Sequence, residues 1–174
     1  VTLTGGTSSV KSTLPLSIAV AGHFKLDETS LIALQYEFAK YSANAILDFT
    51  GTLSNGTTPV PGLPADLVLN WKNMHNIRLG YQKDIGEGIT LRGGYVFTTQ
   101  VTNASYPQAT LSPPGAGHTI ALGGGYKVDD ALRFDAAFEY AFASGKSAAP
   151  LNTSKIGTYS ANAFAGHLGV TYSL

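Results

Sequence analysis

The stretch Ile77-Arg78-Leu79-Gly80-Tyr81-Gln82, resumed after a short turn as Ile89-Thr90-Leu91-Arg92-Gly93-Gly94-Tyr95-Val96-Phe97, decides the fold. Ile77, Leu79, Tyr81, Ile89, Leu91, Tyr95 and Phe97 fall on one face, while Arg78, Gly80, Gln82, Thr90, Arg92 and Gly94 fall on the other. A period of two marks a strand with unlike faces, whereas a helix repeats its apolar positions every three or four residues. The same rule holds on either side. Leu16, Ile18, Val20 and Phe24 alternate with small residues and His23, and a stretch from Ser30 to about Phe49 opens with Ile32, Leu34, Tyr36 and Phe38. Towards the C-terminus follow Ile120, Leu122, Tyr126, then Phe134, Phe138, Tyr140, Phe142, and finally Leu168, Val170, Tyr172, Leu174. About seven strands are predicted, most of them longer than the usual mode of about 5–6 residues.

Connections between these strands alternate in length. Leu26-Asp27-Glu28-Thr29, Asp84-Ile85-Gly86-Glu87-Gly88 and Val128-Asp129-Asp130-Ala131 are tight and carry the Asp and Gly that turns use. Between them lie Gly51 to Asp66, Thr99 to Gly117 and Ser144 to Tyr159, all rich in Pro, Gly, Ser and Thr and read as long loops. An up-and-down meander with short turns at one end and long loops at the other is the pattern of an outer-membrane β-barrel.

Composition decides which face meets what. Only 13% of the 174 residues are charged, about half the roughly 25% of a soluble domain. A soluble barrel carrier would place Ile, Leu and Phe inside and cover its outside with Lys and Glu; this chain lacks those charges. Its second face, of Gly, Ala, Thr and Ser with sparse Arg, Asp and Glu, suits the wall of a polar lumen in a barrel surrounded by hydrocarbon. Tyr36, Tyr41, Trp71, Tyr81, Tyr95, Tyr126, Tyr140 and Tyr172 fall largely near strand ends, as in interfacial aromatic girdles. The expectation is an all-β, transmembrane antiparallel up-and-down barrel wall in the bacterial outer membrane, one domain over residues 1–174.

Eleven Lys and Arg against eleven Asp and Glu, unclustered, leave no electrostatic footprint for nucleic acid, and the absence of Cys excludes thiolate chemistry and disulfides. His23, His75, His118 and His167 show no metal-ligand spacing. A Gly-x-Ser-x-Gly elbow is missing, and Gly123-Gly124-Gly125 sits inside a strand pattern with no helix after it, which is no phosphate loop. No enzyme activity, cofactor or metal is expected. Glu37, Arg78, Arg92, Arg133, Asp135 and Glu139 are predicted to point into the lumen. There they either bind an amphiphile's carboxylate through the planar Arg fork or form a structural ladder of ion pairs. Arg133 and Asp135, two apart on one face, are expected to pair with Arg92 on the adjacent strand.

Several segments resemble the C-terminal half of the long-chain fatty acid transporter family of outer-membrane proteins, the FadL and TodX type. They are Leu14-Pro15-Leu16-Ser17, Trp71-Lys72-Asn73 with Ile77 to Tyr81, Ile89 to Tyr95, and His118 to Lys127. The closing His167 to Leu174 is similar to the signal read by the barrel assembly machinery, with Gly169, Tyr172 and Leu174 as its marks, although Leu174 replaces the usual terminal aromatic residue. The resemblance implies a wall that passively admits or binds hydrophobic and amphipathic molecules. Val1 to Thr13 is expected to be an N-terminal segment too short for the plug such barrels carry. Seven strands leave two sheet edges that lipid cannot satisfy, so the wall belongs either to a longer barrel or, as edge satisfaction favours, to several copies joined edge to edge. Two copies would supply the strand number of the family's closed barrels. A structural oligomer whose composite wall encloses membrane lipid and transports nothing is the alternative.

Overall fold

A computed structural model of the chain describes residues 4–62, 65–107, 115–147 and 156–173. Eleven strands follow in order: β1 (Gly5–Lys11), β2 (Ser17–Lys25), β3 (Ser30–Ala39), β4 (Ile46–Asn55), β5 (Thr58–Pro59), β6 (Leu67–Val68), β7 (Met74–Gly86), β8 (Ile89–Thr98), β9 (Ala116–Lys127), β10 (Leu132–Ser147) and β11 (Gly157–Tyr172). Seven form one antiparallel sheet in the order β11-β10-β9-β8-β7-β3-β2, a meander among sequence neighbours. The predicted seven-strand wall is present, and it is open: β2 and β11 are its edges.

Register turns the sequence alternation into rows. Leu34, Leu79, Tyr95, Ile120, Tyr140 and Phe164 stand side by side across six strands. One row nearer the long loops run Val20, Tyr36, Ile77, Phe97, His118 and Phe142; one row nearer the turns run Phe24, Ile32, Tyr81, Gly93, Leu122 and Phe138. Most of these side chains are exposed, Phe164 at 77%, and one further row towards the turns Leu168 reaches 91%, a contiguous apolar surface that marks a binding or membrane face. Along β10 the apolar band runs from Phe134 to Phe142, the length of the roughly 9–11 residues with which a tilted strand crosses a bilayer. Tyr36 and Tyr95 lie towards the loop end of the band and Tyr126 and Tyr172 towards the turn end, while Tyr81 stands mid-band.

The tight turns form as their chemistry requires. Asp27 accepts from the backbone N–H of Thr29 at 2.8 Å and from its hydroxyl at 2.7 Å, an Asx-type turn. These bonds, the hydroxyl's above all, hold the Asp27 carboxyl well below the ordinary carboxylate range. Asp129 accepts from the N–H groups of Ala131 and Leu132, and neighbouring Asp130 is held low by the Lys127 ammonium bonded to it. Between β7 and β8, Glu87 and Gly88 both have positive φ, 52° and 75°, as a two-residue hairpin of this hand demands. A Cβ on Gly88 would run into the Lys127 carbonyl.

Two expectations are corrected at the long-loop end. Ser30 to about Phe49 is not one strand: β3 stops at Ala39, a 3₁₀ turn covers Tyr41–Ala43, and β4 begins at Ile46. Nor is Gly51 to Asp66 loop from its start, because β4 runs on to Asn55 and pairs with β1 from Gly5↔Ser54 to Lys11↔Asp48. That pairing takes Gly51 to Asn55 out of the loop read there. The β2–β3 hairpin thus continues as a second, smaller ribbon, and Asn44 clamps the junction by accepting from the Thr13 N–H at 2.8 Å and donating to its carbonyl at 2.7 Å. β10 and β11 likewise extend to Ser147 and Gly157, so the last strand is much longer than its apolar Leu168 to Leu174 portion. Beside the ribbon a small core forms above the sheet, where Leu69 and Thr102 are fully buried and Lys72 donates its N–H to Val101 at 2.7 Å.

Candidate functional site

The face opposite the apolar rows carries the polar side chains. Reading the register from the loop end towards the turns, Gln35, Arg78, Val96 and Thr119 form one row. Next come His23, Ala33, Gly80, Gly94, Ala121 and Glu139, and then Leu31, Gln82, Arg92, Gly123, Ala137 and His167. All six predicted residues, Glu37, Arg78, Arg92, Arg133, Asp135 and Glu139, share this face by register and are half-buried. Two groups emerge, separated by a row of Ala and Gly.

Nearer the loops, Arg78 Nη1 donates to Glu37 Oε2 at 2.9 Å, a diagonal pair between β3 and β7, and Ser17 Oγ donates to the other Glu37 oxygen at 3.2 Å. Nearer the turns, Asp135 receives Arg133 through Nε at 2.9 Å and Nη2 at 3.0 Å and Arg92 through Nη1 at 2.8 Å, while Arg92 Nε donates to Gln82. Two guanidiniums therefore share one carboxylate, and the group keeps a surplus positive charge.

Arg92 is not on the strand adjacent to Arg133 and Asp135, as the sequence suggested. It sits on β8, they sit on β10, and β9 lies between. The bridge crosses β9 over Gly123 and Gly125, which face Arg92 and Asp135 in register. A Cβ on Gly125 would stand 2.5 Å from both Arg133 Nη2 and Asp135 Oδ1, and one on Gly123 would meet the Ala136 carbonyl at 2.9 Å. This explains the glycine at 125, over which side chains from β10 lie flat to reach β8, while Gly123 answers the close approach of the β10 backbone and Gly124 belongs to the opposite face.

Glu139 makes no ion pair among the described residues. With His23, Gln35, Arg78, Thr119 and the small row Ala33, Gly80, Gly94 and Ala121 it lines a trough of about 420 Å³. Among the described residues no three His, Asp or Glu side chains gather as a metal-binding group. His23 and His167 lie on the polar face, whereas His75 and His118 lie on the apolar one, each held at Nδ1 by a tyrosine hydroxyl, Tyr36 at 2.8 Å and Tyr95 at 2.7 Å. The sequence gives the histidines' faces by parity, but not this pairing, which needs the register between strands. Of the proposed assembly marks, Gly169 faces Asp135 and Tyr172 ends β11 opposite Leu132; Leu174 lies outside the described residues.

The comparisons with known proteins agree with this architecture. No curated protein sequence matches the chain. Among solved structures, a Pseudomonas aeruginosa FadL homologue superposes with a TM-score of 0.71 at 16% identity, over 95% of this chain and 37% of its own. The CymD monoaromatic hydrocarbon channel superposes with a TM-score of 0.62 at 14% identity, over 96% of this chain and 38% of its own. At such identities the likeness is one of fold, and the chain spans under two fifths of each solved protein. The model of the outer membrane protein transport protein family (OMPP1/FadL/TodX) matches residues 3–173. That family is one of outer-membrane transport, not of catalysis, and the chain belongs to it.

Proposed function

We propose that this chain forms part of the wall of an outer-membrane passage for hydrophobic and amphipathic molecules, with the polar face towards the lumen. The observation that carries the reading is the division of one sheet into an exposed apolar face and a face of small residues whose charges are mostly matched among themselves. Arg78 with Glu37, and Arg92 and Arg133 with Asp135, give a wall that holds water without binding every solute that passes. The row Ala33, Gly80, Gly94 and Ala121 keeps that wall smooth and the trough beside it wide. Movement is passive and needs no chemical step. The surplus guanidinium charge at Asp135 is the natural contact for the carboxylate of an amphiphile, and Glu139, at the end of the small row, biases how such a molecule is oriented.

Because lipid cannot satisfy the bare edges of β2 and β11, further strands close the wall, a second copy of the chain among the candidates. Gly169, Tyr172 and Leu174 act as the mark read by the barrel assembly machinery. One of the similar structures is a monoaromatic hydrocarbon channel, which supports the hydrophobic class of solute.

The test is entry of a labelled long-chain fatty acid and a labelled monoaromatic hydrocarbon into liposomes bearing the protein. Entry is expected to exceed that in protein-free liposomes and to fall several-fold when Ala121→Trp fills the small row. Entry equal to the protein-free rate for both solutes would refute passage and leave a wall that only encloses lipid.

A further inference from the structure

We propose that the apolar face carries a binding site for the phosphorylated headgroups of membrane lipids at its long-loop end. Among the described residues this face holds no Asp or Glu by register. Its basic side chains fall into two places. Lys83, at the turn end, lies 3.7 Å from Asp27 and bonds to Ser30. The others, Lys40, His75, His118 and Lys146, all lie at the loop end. Lys40 follows Phe38 by two residues, with its backbone N–H bonded to Leu16, and Lys146 follows Phe142 by four, opposite Thr158. The alternation of exposure along β10 continues out to Lys146. Neither lysine makes an ion pair among the described residues.

Beneath the lysines the same cross-strand unit occurs twice. Tyr36 and Phe38 on β3 face Ile77 and His75 on β7; Tyr95 and Phe97 on β8 face Ile120 and His118 on β9. In both units the tyrosine hydroxyl occupies His Nδ1 and the phenylalanine packs against the imidazole, at ring-centre distances of 5.5 and 5.3 Å. Phe142 stacks on the second histidine at 5.1 Å. We assign the hydroxyl as the donor to Nδ1, which leaves the ring proton on Nε2 as the donor for a ligand. Simple membrane anchoring requires aromatic residues at this level, but it does not require two fixed imidazole donors or exclude every carboxylate. Cations without counter-charge above fixed N–H donors and aromatic platforms, at the edge of a hydrocarbon-facing band, complement a phosphate ester on an acyl chain. Long loops mark the outer side of such barrels, so the lipid is one of the outer leaflet. This inference rests on the apolar face meeting lipid, and not on what passes through the lumen.

The experiment uses the detergent-extracted full-length protein and native mass spectrometry. The probes are a diphosphorylated acyl-saccharide lipid, its dephosphorylated form, zwitterionic phosphatidylethanolamine, and inorganic phosphate as competitor. The phosphorylated lipid is expected to be retained in preference to the other two lipids, with millimolar inorganic phosphate failing to displace it. Lys40, just past β3, and Lys146, on β10, stand four strands apart, roughly 19 Å, so each serves its own headgroup and contributes about fivefold there. Lys40→Gln and Lys146→Gln should each weaken retention at one unit about fivefold, and the double variant at both. The loss should shrink as salt is raised, while His118→Phe should weaken retention further without changing solute entry into liposomes. Equal retention of the phosphorylated and dephosphorylated lipids by the unaltered protein overturns the proposal and needs no variant to fold. Full displacement by inorganic phosphate, or undiminished retention by a double variant that still shows folded-barrel gel mobility, overturns it as well. If solute entry is absent while lipid retention behaves as expected, the transport reading fails and this one stands.

Discussion

Replacing Gly125 by Ala is the sharpest local perturbation the structure offers. The new methyl would stand 2.5 Å from Arg133 Nη2 and Asp135 Oδ1, about 1 Å inside ordinary contact, so both groups must move. Those two atoms carry the 2.8 Å bond from Arg92 and the 3.0 Å bond from Arg133, leaving only the Arg133 Nε bond to Asp135. A charge-assisted hydrogen bond contributes about 1.5–3 kcal/mol when well protected. Here the side chains are about one third exposed, which brings each bond to about 0.5–1 kcal/mol. The expected loss is therefore about 1–2 kcal/mol. Equilibrium urea unfolding in detergent, followed by the fluorescence of the single tryptophan, Trp71, measures it. Two comparisons isolate the cause. Gly94→Ala on the same face would place its methyl 3.7 Å from the Ala121 Cβ, and should cost under about 0.5 kcal/mol. In an Arg133→Ala, Asp135→Ala background the obstruction is gone, so Gly125→Ala should become nearly neutral, a coupling of about 1 kcal/mol or more. Additive costs in that cycle, or equal costs for Gly125→Ala and Gly94→Ala, would show that the glycines do not serve the bridge.

Ile120→Arg, in the middle of the apolar rows, should destabilise the folded barrel by about 2–4 kcal/mol, while Ala121→Arg on the opposite face should cost under about 1 kcal/mol; unfolding in phospholipid vesicles compares them. Glu37→Gln breaks the pair with Arg78 and should cost about 0.5–1 kcal/mol, whereas Glu139→Gln, which loses no ion pair among the described residues, should stay within about 0.5 kcal/mol in the same assay. The Asp27 turn has a testable pH dependence. Its folded-state carboxyl is held below the unfolded value of about 3.9, so its stabilisation is complete at neutral pH and is lost only as the pH falls beneath that value. Amide exchange at Thr29 should stay protected down to mildly acidic pH and open below it, and Asp27→Asn should remove this pH dependence; an opening near neutral pH in the parent chain would contradict it.

The seven-strand meander was legible because a strand between hydrocarbon and a polar lumen must alternate, and β7 through β10 do so without interruption. Where that constraint ends, so does the signal. β1 and β4, Gly-Gly-Thr-Ser-Ser-Val-Lys against Asp-Phe-Thr-Gly-Thr-Leu-Ser, pair beyond the apolar band, carry no apolar stripe, and read as loop. The break at Lys40 to Ala45 shows in the sequence only as a change of phase, with polar Lys40, Ser42 and Asn44 where Ile32 to Phe38 set the apolar positions, and nothing periodic marks Asn44 as the residue whose side chain holds the junction. Parity alone put the six charged residues on one face. Their partners depend on register, and the Arg92–Asp135 bridge skips a strand, which no rule about adjacent strands anticipates. Gly125, over which the bridge passes, is its trace in the sequence. The repeated Tyr–His units were similarly split across strands nearly forty residues apart in one case and some twenty in the other.

The central claim is that the face bearing Ile120 and Leu122 meets lipid and the face bearing Thr119, Ala121 and Gly123 meets water. The chain has no native Cys, so single cysteines can be placed along residues 118–124 of β9, spin-labelled in vesicles, and tested for collision with oxygen and with a water-soluble nickel chelate. Oxygen access highest at 120 and 122 and chelate access highest at 119, 121 and 123, with a period of two, is the expected result. The opposite phase, or chelate access at every position, would contradict the claim.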